Sequence, residues 1–176
     1  MTSLQEKCAR IAMLVLDVDG VLTDGRIVYT DAGEEIKAFH VRDGSGLALW
    51  TKLGKHAGII TGRRSPIVER RAKELGIAAV MQGVHDKRAA LVSMIEETGL
   101  APDQVCAVGD DIVDLPMMGA CGMAVAVADA CPEAKESADW VTQARGGHGA
   151  VREVIEMILR AQAHWQAIVA RLRGSD

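Results

Sequence analysis

The sequence predicts an α/β fold in which one parallel β-sheet lies between two layers of helices. Short apolar runs alternate with segments of helical periodicity along almost the whole chain. Uninterrupted apolar runs are typical of parallel strands that are covered on both faces. Strands that alternate with helices favour right-handed crossovers within a single sheet. Because 176 residues is an ordinary size for one domain, we expect a single domain over residues 1–176.

Local patterns predict the elements in chain order. The first strand is the apolar run 11–16, and residues 26–30 and 35–41 flank the turn 31–33 as a β-hairpin. This hairpin is expected to be an insertion of about residues 25–41. The other predicted elements, bounded by glycine, proline and capping residues, are the strands 57–60, 78–81, 104–108, 123–127 and 140–142 and the helices 44–53, 66–75 and 87–98.

The C-terminal segment of about residues 150–176 is predicted to form one long amphipathic helix and a tail. Its apolar residues recur at spacings of three and four, the pattern of a helix with one buried face. They are Val151, Val154, Ile155, Ile158, Leu159, Trp165, Ile168, Val169 and Leu172. This helix either covers its own sheet or extends a tail towards a neighbouring site, and the pattern leaves both possibilities open.

The composition excludes several classes of protein. The net charge is −4 and the chain has one Phe and one Tyr, so it lacks the basic surface and the aromatic platforms that bind nucleic acid. No apolar run reaches the roughly 18 residues of a membrane span, and the N-terminal segment lacks the apolar core of a signal peptide. The four cysteines show neither a CxxC pair nor zinc-like spacing. We therefore expect a cytoplasmic protein that binds neither nucleic acid nor membranes.

Two carboxylates follow the first predicted strand. Asp17 and Asp19, with Gly20 after them, are expected at the carboxyl edge of the sheet, where ligands of α/β proteins bind. Alone, such a pair is also compatible with a turn or a helix cap. Two adjacent carboxylates repel each other unless a cation or a proton relieves the repulsion. A bound cation and a bound proton are both accounted for if Asp17 is a nucleophile and metal ligand and Asp19 is a general acid and base.

Polar residues also follow other strands of the predicted sheet. Each group alone is compatible with a turn, a cap or a solvated charge. Because the carboxyl ends of parallel strands meet at one edge, we expect all of them to lie close together. They are Thr61 and Gly62 after one strand, Lys87 at the start of a helix, and Asp110, Asp111 and Asp114 after another strand. Oxygen ligands of this kind suit a hard cation such as Mg²⁺, and the Thr-Gly loop suits a phosphate.

These motifs, in this order, resemble those of the haloacid-dehalogenase-like phosphohydrolases over essentially the whole chain. The resemblance implies a Rossmann-like fold and hydrolysis of phosphate monoesters through a phosphoaspartyl intermediate on Asp17, with Asp19 as general acid and base. It also implies that Asp17, Asp110 and the backbone carbonyl of Asp19 hold Mg²⁺. The further implied roles are outer-shell or alternative metal partners for Asp111 and Asp114, and phosphate binding for Thr61, Gly62 and Lys87.

Most members of that family have a cap domain, for which this chain has no room. Only the hairpin follows the first motif, and residues 62–87 are too few for a domain, so we expect a capless protein. An isolated two-stranded hairpin is only marginally stable in water. We therefore expect the hairpin to pair with other copies of the chain, and the resemblance implies a homotetramer.

A finer resemblance concerns the branch of the family that acts on phosphates of 3-deoxy sugar acids. It rests on the segments 17–25, 37–44, 109–116, 126–130 and 146–153. It implies that the substrate is 3-deoxy-D-manno-octulosonate 8-phosphate, whose dephosphorylated product feeds lipopolysaccharide synthesis. The alternatives are a nonulosonate (sialic acid or KDN) 9-phosphate as substrate, or a catalytically silent oligomeric module for binding or regulation.

Four basic residues are candidates for binding the carboxylate of a sugar-acid substrate. The planar fork of arginine matches a carboxylate with two parallel hydrogen bonds. Each of these side chains is equally compatible with a solvated surface charge. The candidates are Arg42, Arg63, Arg71 and His148.

Overall fold

A computed structural model describes residues 2–174, and at its centre six strands form one parallel sheet. Residues 175 and 176, the end of the predicted C-terminal tail, and residue 1 lie outside the described residues. The strands of the sheet are β1 (Met13–Leu16), β4 (His56–Thr61), β5 (Ala79–Gln82), β6 (Val105–Gly109), β7 (Met123–Ala126) and β8 (Trp140–Val141). Their order is β5-β4-β1-β6-β7-β8, and every pair is parallel. The predicted fold class is confirmed.

Helices cover both faces of the sheet. The helices are α1 (Leu4–Arg10), α2 (Val41–Lys52), α3 (Pro66–Glu74), α4 (Lys87–Thr98), α5 (Leu115–Met118), α6 (Pro132–Ser137), α7 (Ala150–Ala161) and α8 (His164–Leu172). Helices α1, α2, α7 and α8 form one connected layer, and α4, α5 and α6 form another. Within residues 2–174, none of the helices has the length and apolar character needed to cross a lipid bilayer.

Strand β1 lies at the middle of the sheet and aligns the edge at which the candidate site forms. Every side chain of β1 is buried, as expected for a parallel strand covered on both faces. Leu16 pairs with Ile59 of β4 and with Val108 of β6. The carboxyl ends of β1, β4 and β6 therefore lie side by side, so the residues that follow these three strands share one crevice.

The antiparallel hairpin is shorter than the sequence predicts. Its strands are only β2 (Val28–Tyr29) and β3 (Glu35–Ile36), although residues 26–30 and 35–41 were expected to pair. Residue 41 already belongs to helix α2. Residues 37–40 lie outside the paired strands, and the Lys37 side chain is buried against Asp19.

The prediction of one long C-terminal helix is wrong, because the segment forms two helices. The helix breaks at Ala163, whose φ of 59° lies in the left-handed region. Next to it, the Gln162 side-chain amide donates to the carbonyl oxygens of Cys8 and Ile11, at 2.9 and 2.8 Å. These hydrogen bonds hold the segment between α7 and α8 against the C-terminal end of α1. Since the stretch Ala161-Gln162-Ala163 contains no helix-breaking residue, periodicity could not reveal it.

Helix α7 receives its N-terminal cap from helix α2. The Asp43 carboxylate is buried and accepts the backbone N–H groups of Gly149 and Arg152, at 3.1 and 2.7 Å. The first N–H groups of a helix lack intrahelical partners and need such an acceptor. Gly149 at the cap position has no side chain that could accept them. The cap of α7 is therefore supplied by Asp43, a residue more than a hundred positions earlier in the chain.

Substitution Asp43→Ala is expected to lower the free energy of unfolding by about 2 kcal/mol, because it removes a cap and leaves two N–H groups unpaired. Urea denaturation followed by circular dichroism measures this change. The control is Asp43→Asn, whose amide oxygen still accepts, so that its loss is smaller. An alanine variant as stable as the parent chain would show that Asp43 does not stabilise α7.

Candidate active site

Lys87 is buried between two carboxylates at the carboxyl edge of the sheet. Its Nζ lies 2.8 Å from Oδ1 of Asp17 and 2.6 Å from Oδ1 of Asp114. Asp17 directly follows β1, and its backbone N–H continues the sheet by donating to Val108 at 3.1 Å. All three side chains are almost fully buried, and buried charges persist only when they are paired. The sheet therefore places a neutralising ammonium group directly against Asp17.

Asp114 organises the acidic loop that follows β6. While its Oδ1 contacts Lys87, its Oδ2 accepts the backbone N–H groups of Asp110 and Asp111, at 2.9 and 3.3 Å. Both carboxylate oxygens of Asp114 thus have partners within the chain. Of the predicted metal partners, Asp114 lies in a position that fixes the loop and the lysine. Asp111 instead lies at the pocket surface and accepts the N–H of Ile112 at 2.8 Å.

Asp110 has the features of an open cation ligand. Its Oδ1 is buried and has no hydrogen-bond partner among residues 2–174. Oxygens of Asp17, Asp110 and Asp114 lie within 4.8 Å of one another. Three carboxylates face one ammonium group here, so the cluster keeps excess negative charge. A hard divalent cation with oxygen ligands fits this arrangement.

The pKa values of the cluster reflect the same excess charge. Burial, reinforced by Asp114, raises the pKa of Asp17 to about 6 even though Lys87 opposes the shift. Burial, followed by repulsion from Asp17, raises the pKa of Asp110 to about 8. Burial lowers the pKa of Lys87, but Asp17 and Asp114 outweigh it, so this pKa is raised overall. The lysine therefore remains charged, and the carboxyl groups of Asp17 and Asp110 bind protons more readily than exposed carboxyl groups do.

Asp19 lines the same pocket as Asp110 and contacts groups outside the sheet. Its Oδ1 accepts a short contact from Nζ of Lys37, at the base of the hairpin. Its Oδ2 lies 3.7 Å from Nε of Arg63, in the loop after β4. Glu35 joins the two cations, because its Oε1 lies 2.9 Å from Arg63 and 3.4 Å from Lys37. Asp19 is therefore held by the hairpin as well as by its own loop.

Asp17, Asp19, Lys87 and Asp110 line a single pocket of about 330 Å³. Thr61 is buried beside the pocket, and its hydroxyl oxygen accepts the N–H of Arg63 at 3.3 Å, which leaves the hydroxyl proton available to a ligand. Most of the predicted catalytic, metal and phosphate residues meet here, together with three that the sequence did not indicate, Val84, His85 and Val113. The lining consists of Asp17, Asp19, Thr61, Gly62, Arg63, Val84, His85, Lys87, Asp110, Asp111 and Val113.

Three of the four candidate carboxylate-binding residues lie outside this pocket. Arg42 and His148 line a separate, open groove beside α7. Arg71 lies over the ring of Phe39 and pairs with Glu74 at 3.1 Å. Within one chain, only Arg63 of these candidates lies at the pocket.

The glycine-rich loop 146–149 packs against the turn that follows Asp19. A Cβ atom on Gly146 would lie 1.6 Å from the carbonyl oxygen of Gly20, and one on Gly20 would lie 2.1 Å from Oδ2 of Asp110. The backbone N–H of Gly147 also donates to the carbonyl of Val21 at 2.9 Å. These close approaches are possible only because Gly20 and Gly146 have no side chains. These glycines thus bring the turn of Asp19 and the Asp110 loop together.

Sequence reasoning missed Glu35 and Lys37 as members of the site. A signal was available, because alternate residues of a strand share one face. The predicted strand 35–41 therefore already placed both charged side chains on the same side. Nothing in the sequence showed that this side faces Asp19, since that depends on how the hairpin folds over the sheet.

The fold and this pocket define a hydrolase of the haloacid-dehalogenase type. Residues 60–155 match the family model of haloacid dehalogenase-like hydrolases, and the chain belongs to this family. The chain is 46% identical over 161 residues to the 3-deoxy-D-manno-octulosonate 8-phosphate phosphatase of Salmonella typhi, a match that covers 92% of this chain and 86% of that one.

Solved structures of similar proteins have the same fold. The phosphatase of the same name from Yersinia pestis has a TM-score of 0.91 and 44% identity, covering 93% of this chain and 88% of that one. The enzyme from Moraxella catarrhalis, solved in complex with magnesium, phosphate and KDO, has a TM-score of 0.93 and 42% identity, covering 96% of this chain and 97% of that one. The chain is a phosphatase.

The raised carboxyl pKa values predict how metal-free protein responds to pH. A carboxyl group whose folded pKa exceeds its unfolded value stabilises the fold below the unfolded pKa and loses that contribution as pH rises through the folded pKa. For Asp17 and Asp110 this window runs from about pH 4 to about pH 8. The melting temperature of chelator-treated protein should therefore fall across this window relative to that of Asp110→Asn.

Differential scanning fluorimetry, with chelator or with excess Mg²⁺, measures the effect. Mg²⁺ should raise the melting temperature more at about pH 8 than at about pH 5, because protons compete with the metal for the same oxygens. If the melting temperatures of the parent chain and of Asp110→Asn change with pH in the same way without metal, the assignment of excess charge to this cluster is contradicted.

Proposed function

We propose that this chain hydrolyses 3-deoxy-D-manno-octulosonate 8-phosphate to Kdo and inorganic phosphate, with Mg²⁺ as cofactor. The observation on which the proposal rests is the pocket in which Asp17 contacts buried Lys87, while a buried oxygen of Asp110 has no partner in the described part of the chain. A nucleophile, a charge-neutralising cation and an open metal ligand are what phosphoryl transfer requires. Support for the substrate comes from the Moraxella catarrhalis relative, which was solved with magnesium, phosphate and KDO.

The reaction follows from the positions of Asp17 and Asp19. A carboxylate oxygen of Asp17 attacks phosphorus, and the bond between phosphorus and the sugar oxygen breaks. Asp19, in its acid form, donates its proton to that leaving oxygen. Asp19 then takes a proton from water as the water oxygen attacks phosphorus, and the bond to Asp17 breaks to release phosphate. Asp17 returns as a carboxylate and Asp19 as an acid, so the cycle is closed.

The residues around Asp17 stabilise the charge that moves during both steps. Lys87 Nζ, 2.8 Å from Asp17, reduces the repulsion between this carboxylate and the phosphoryl oxygens. Asp114 keeps the lysine in place, and Thr61 with the backbone of Gly62 offers donors to the phosphate. Mg²⁺ would be held by Asp17, Asp110 and the backbone carbonyl of Asp19. When bound, it supplies positive charge to the phosphoryl oxygens.

Specific observations weigh against the alternative functions. A catalytically silent module has no need of a buried Lys87 paired with Asp17 or of an Asp110 oxygen without a partner. A nonulosonate 9-phosphate would use the same chemistry. The eight-carbon sugar acid is favoured by the names of the relatives and by the KDO in one of their structures.

We further propose a homotetramer that assembles through the hairpin. The hairpin exposes several apolar side chains, which a monomer would leave in water. They are Ile27, Val28, Tyr29 and Ile36. Pairing of hairpins would cover them and would bring groups of a neighbouring chain near the open pocket. The location we propose is cytoplasmic, which fits the four free cysteines.

The proposed reaction is tested by phosphate release from purified full-length protein. With Mg²⁺, kcat/KM for the eight-carbon 8-phosphate should exceed that for a nine-carbon 9-phosphate by at least about ten-fold. Asp17→Asn should release no phosphate, because an amide cannot form the covalent intermediate. A reversed preference would favour the nonulosonate substrate. Absence of phosphate release from every ester with Mg²⁺ present would favour the silent module.

The proposed assembly is tested with two matched valine substitutions. Val28 in the hairpin and Val92 on α4 are each 42% exposed. Val28→Glu places a charge in the proposed interface and should shift the mass measured by light scattering from four chains to fewer. Val92→Glu should leave the mass unchanged. A monomeric parent chain, or an unchanged mass for Val28→Glu, would contradict assembly through the hairpin.

A further inference from the structure

The base of the hairpin contains a lysine that is buried against the acid/base residue. The Lys37 side chain is only 3% exposed, and its Nζ contacts Oδ1 of Asp19. Lysine is rarely buried unless it is paired. Its Nζ also lies 3.4 Å from Oε1 of Glu35. The segment 37–44 contributed to the family resemblance, but no role was assigned to Lys37 or Glu35, and both contact the groups that surround Asp19.

The hairpin presents two charged side chains to the site. Glu35 belongs to β3 and Lys37 directly follows it, and both belong to the group of charges around Asp19. Ile36 between them is exposed, and by strand alternation it lies with its cross-strand partner Val28 on the side opposite Glu35. The charged side of the hairpin meets the loop of Asp19 within a single chain.

The four charged groups form a closed arrangement with equal numbers of positive and negative charges. Glu35 contacts both Lys37 and Arg63, and each of these cations lies next to a different oxygen of Asp19. Lys37 makes the close contact, to Oδ1. Arg63 Nε lies 3.7 Å from Oδ2, beyond hydrogen-bond distance. Lys37 therefore determines the orientation of the Asp19 carboxyl group, and Oδ2 is left less tightly held.

We propose that Lys37, anchored by Glu35, is a positioning residue that aims the Asp19 carboxyl group at the leaving-group oxygen. The inference rests on the proposed function, because it concerns the proton that Asp19 donates when the bond to phosphorus breaks. An acid that is misplaced by about 1 Å can lose about 100-fold in rate. Lys37 does not contact the phosphate in this proposal and acts only through Asp19.

The chemistry of the leaving group separates positioning from a merely structural role. A sugar alkoxide is strongly basic and must be protonated as it leaves. The nitrophenolate of 4-nitrophenyl phosphate is weakly basic and leaves without an acid. Since kcat/KM covers the steps up to the first bond cleavage, misplacing Asp19 should affect the first substrate and spare the second.

The experiment measures kcat/KM of Lys37→Met on both substrates with Mg²⁺. We expect a loss of about 100-fold on the sugar-acid phosphate and of less than about 5-fold on 4-nitrophenyl phosphate. The first loss should lie mainly in kcat. Lys37→Arg restores a cation, so its kcat/KM on the sugar-acid phosphate should be at least about ten-fold higher than that of Lys37→Met. Glu35→Gln, which weakens the anchor, should show the same substrate dependence with a smaller loss.

Controls separate this effect from damage to the fold or to the assembly. Lys73→Met makes the same chemical change at an exposed lysine of α3 and should leave both substrates unaffected. Light scattering and thermal melting of each variant verify mass and folding. If Lys37→Met does not fold, Lys37→Arg and Glu35→Gln still provide the comparison between the two substrates.

Two kinds of result would overturn the inference. With an active parent chain, equal losses on both substrates, or no loss on either, would refute the positioning role and leave the proposed function standing. A parent chain that releases phosphate from neither ester would refute the proposed function, and the role of Lys37 with it.

Discussion

The ion pair between buried Lys87 and Asp17 is the interaction on which the site depends. Burial removes water from both charges, so each requires the other, and Asp114 completes the environment of the lysine. One ammonium group cannot neutralise three carboxylates, and the raised pKa of Asp110 reflects the remaining repulsion. The excess negative charge therefore favours binding of a further cation. Positive charge beside Asp17 also reduces its repulsion of an approaching phosphoryl group.

The parallel sheet provides the geometry for that interaction. Strands β1, β4 and β6 end side by side, so the turns that follow them bring Asp17, Thr61 and the acidic loop to one crevice. The absence of side chains at Gly146 and Gly20 makes room for the carbonyl oxygen of Gly20 and for the Asp110 carboxylate. The hairpin adds the charged side chains of Glu35 and Lys37 next to Asp19, and it also exposes apolar side chains.

The sequence predicted the residues at strand ends well, because sheet order aligns them regardless of their separation along the chain. It predicted less well whatever depends on contacts between distant elements. Asp43 caps a helix that begins over a hundred residues later. The break at Ala163 follows from contacts of Gln162 with α1 and not from local propensity. Arg42 and His148 have side chains suited to binding a substrate but line a different groove.

The sequence alone determined the fold class and the family, and it placed Asp17, Asp19, Lys87 and the acidic loop at one edge of the sheet, because apolar periodicity and motif order are local properties. Only the tertiary structure decided which charges meet. Within residues 2–174 it paired Lys87 with Asp114, left an Asp110 oxygen without a partner, and directed Lys37 onto Asp19. The physical reason is that burial and ion pairing depend on distances in space, which spacing along the chain does not specify.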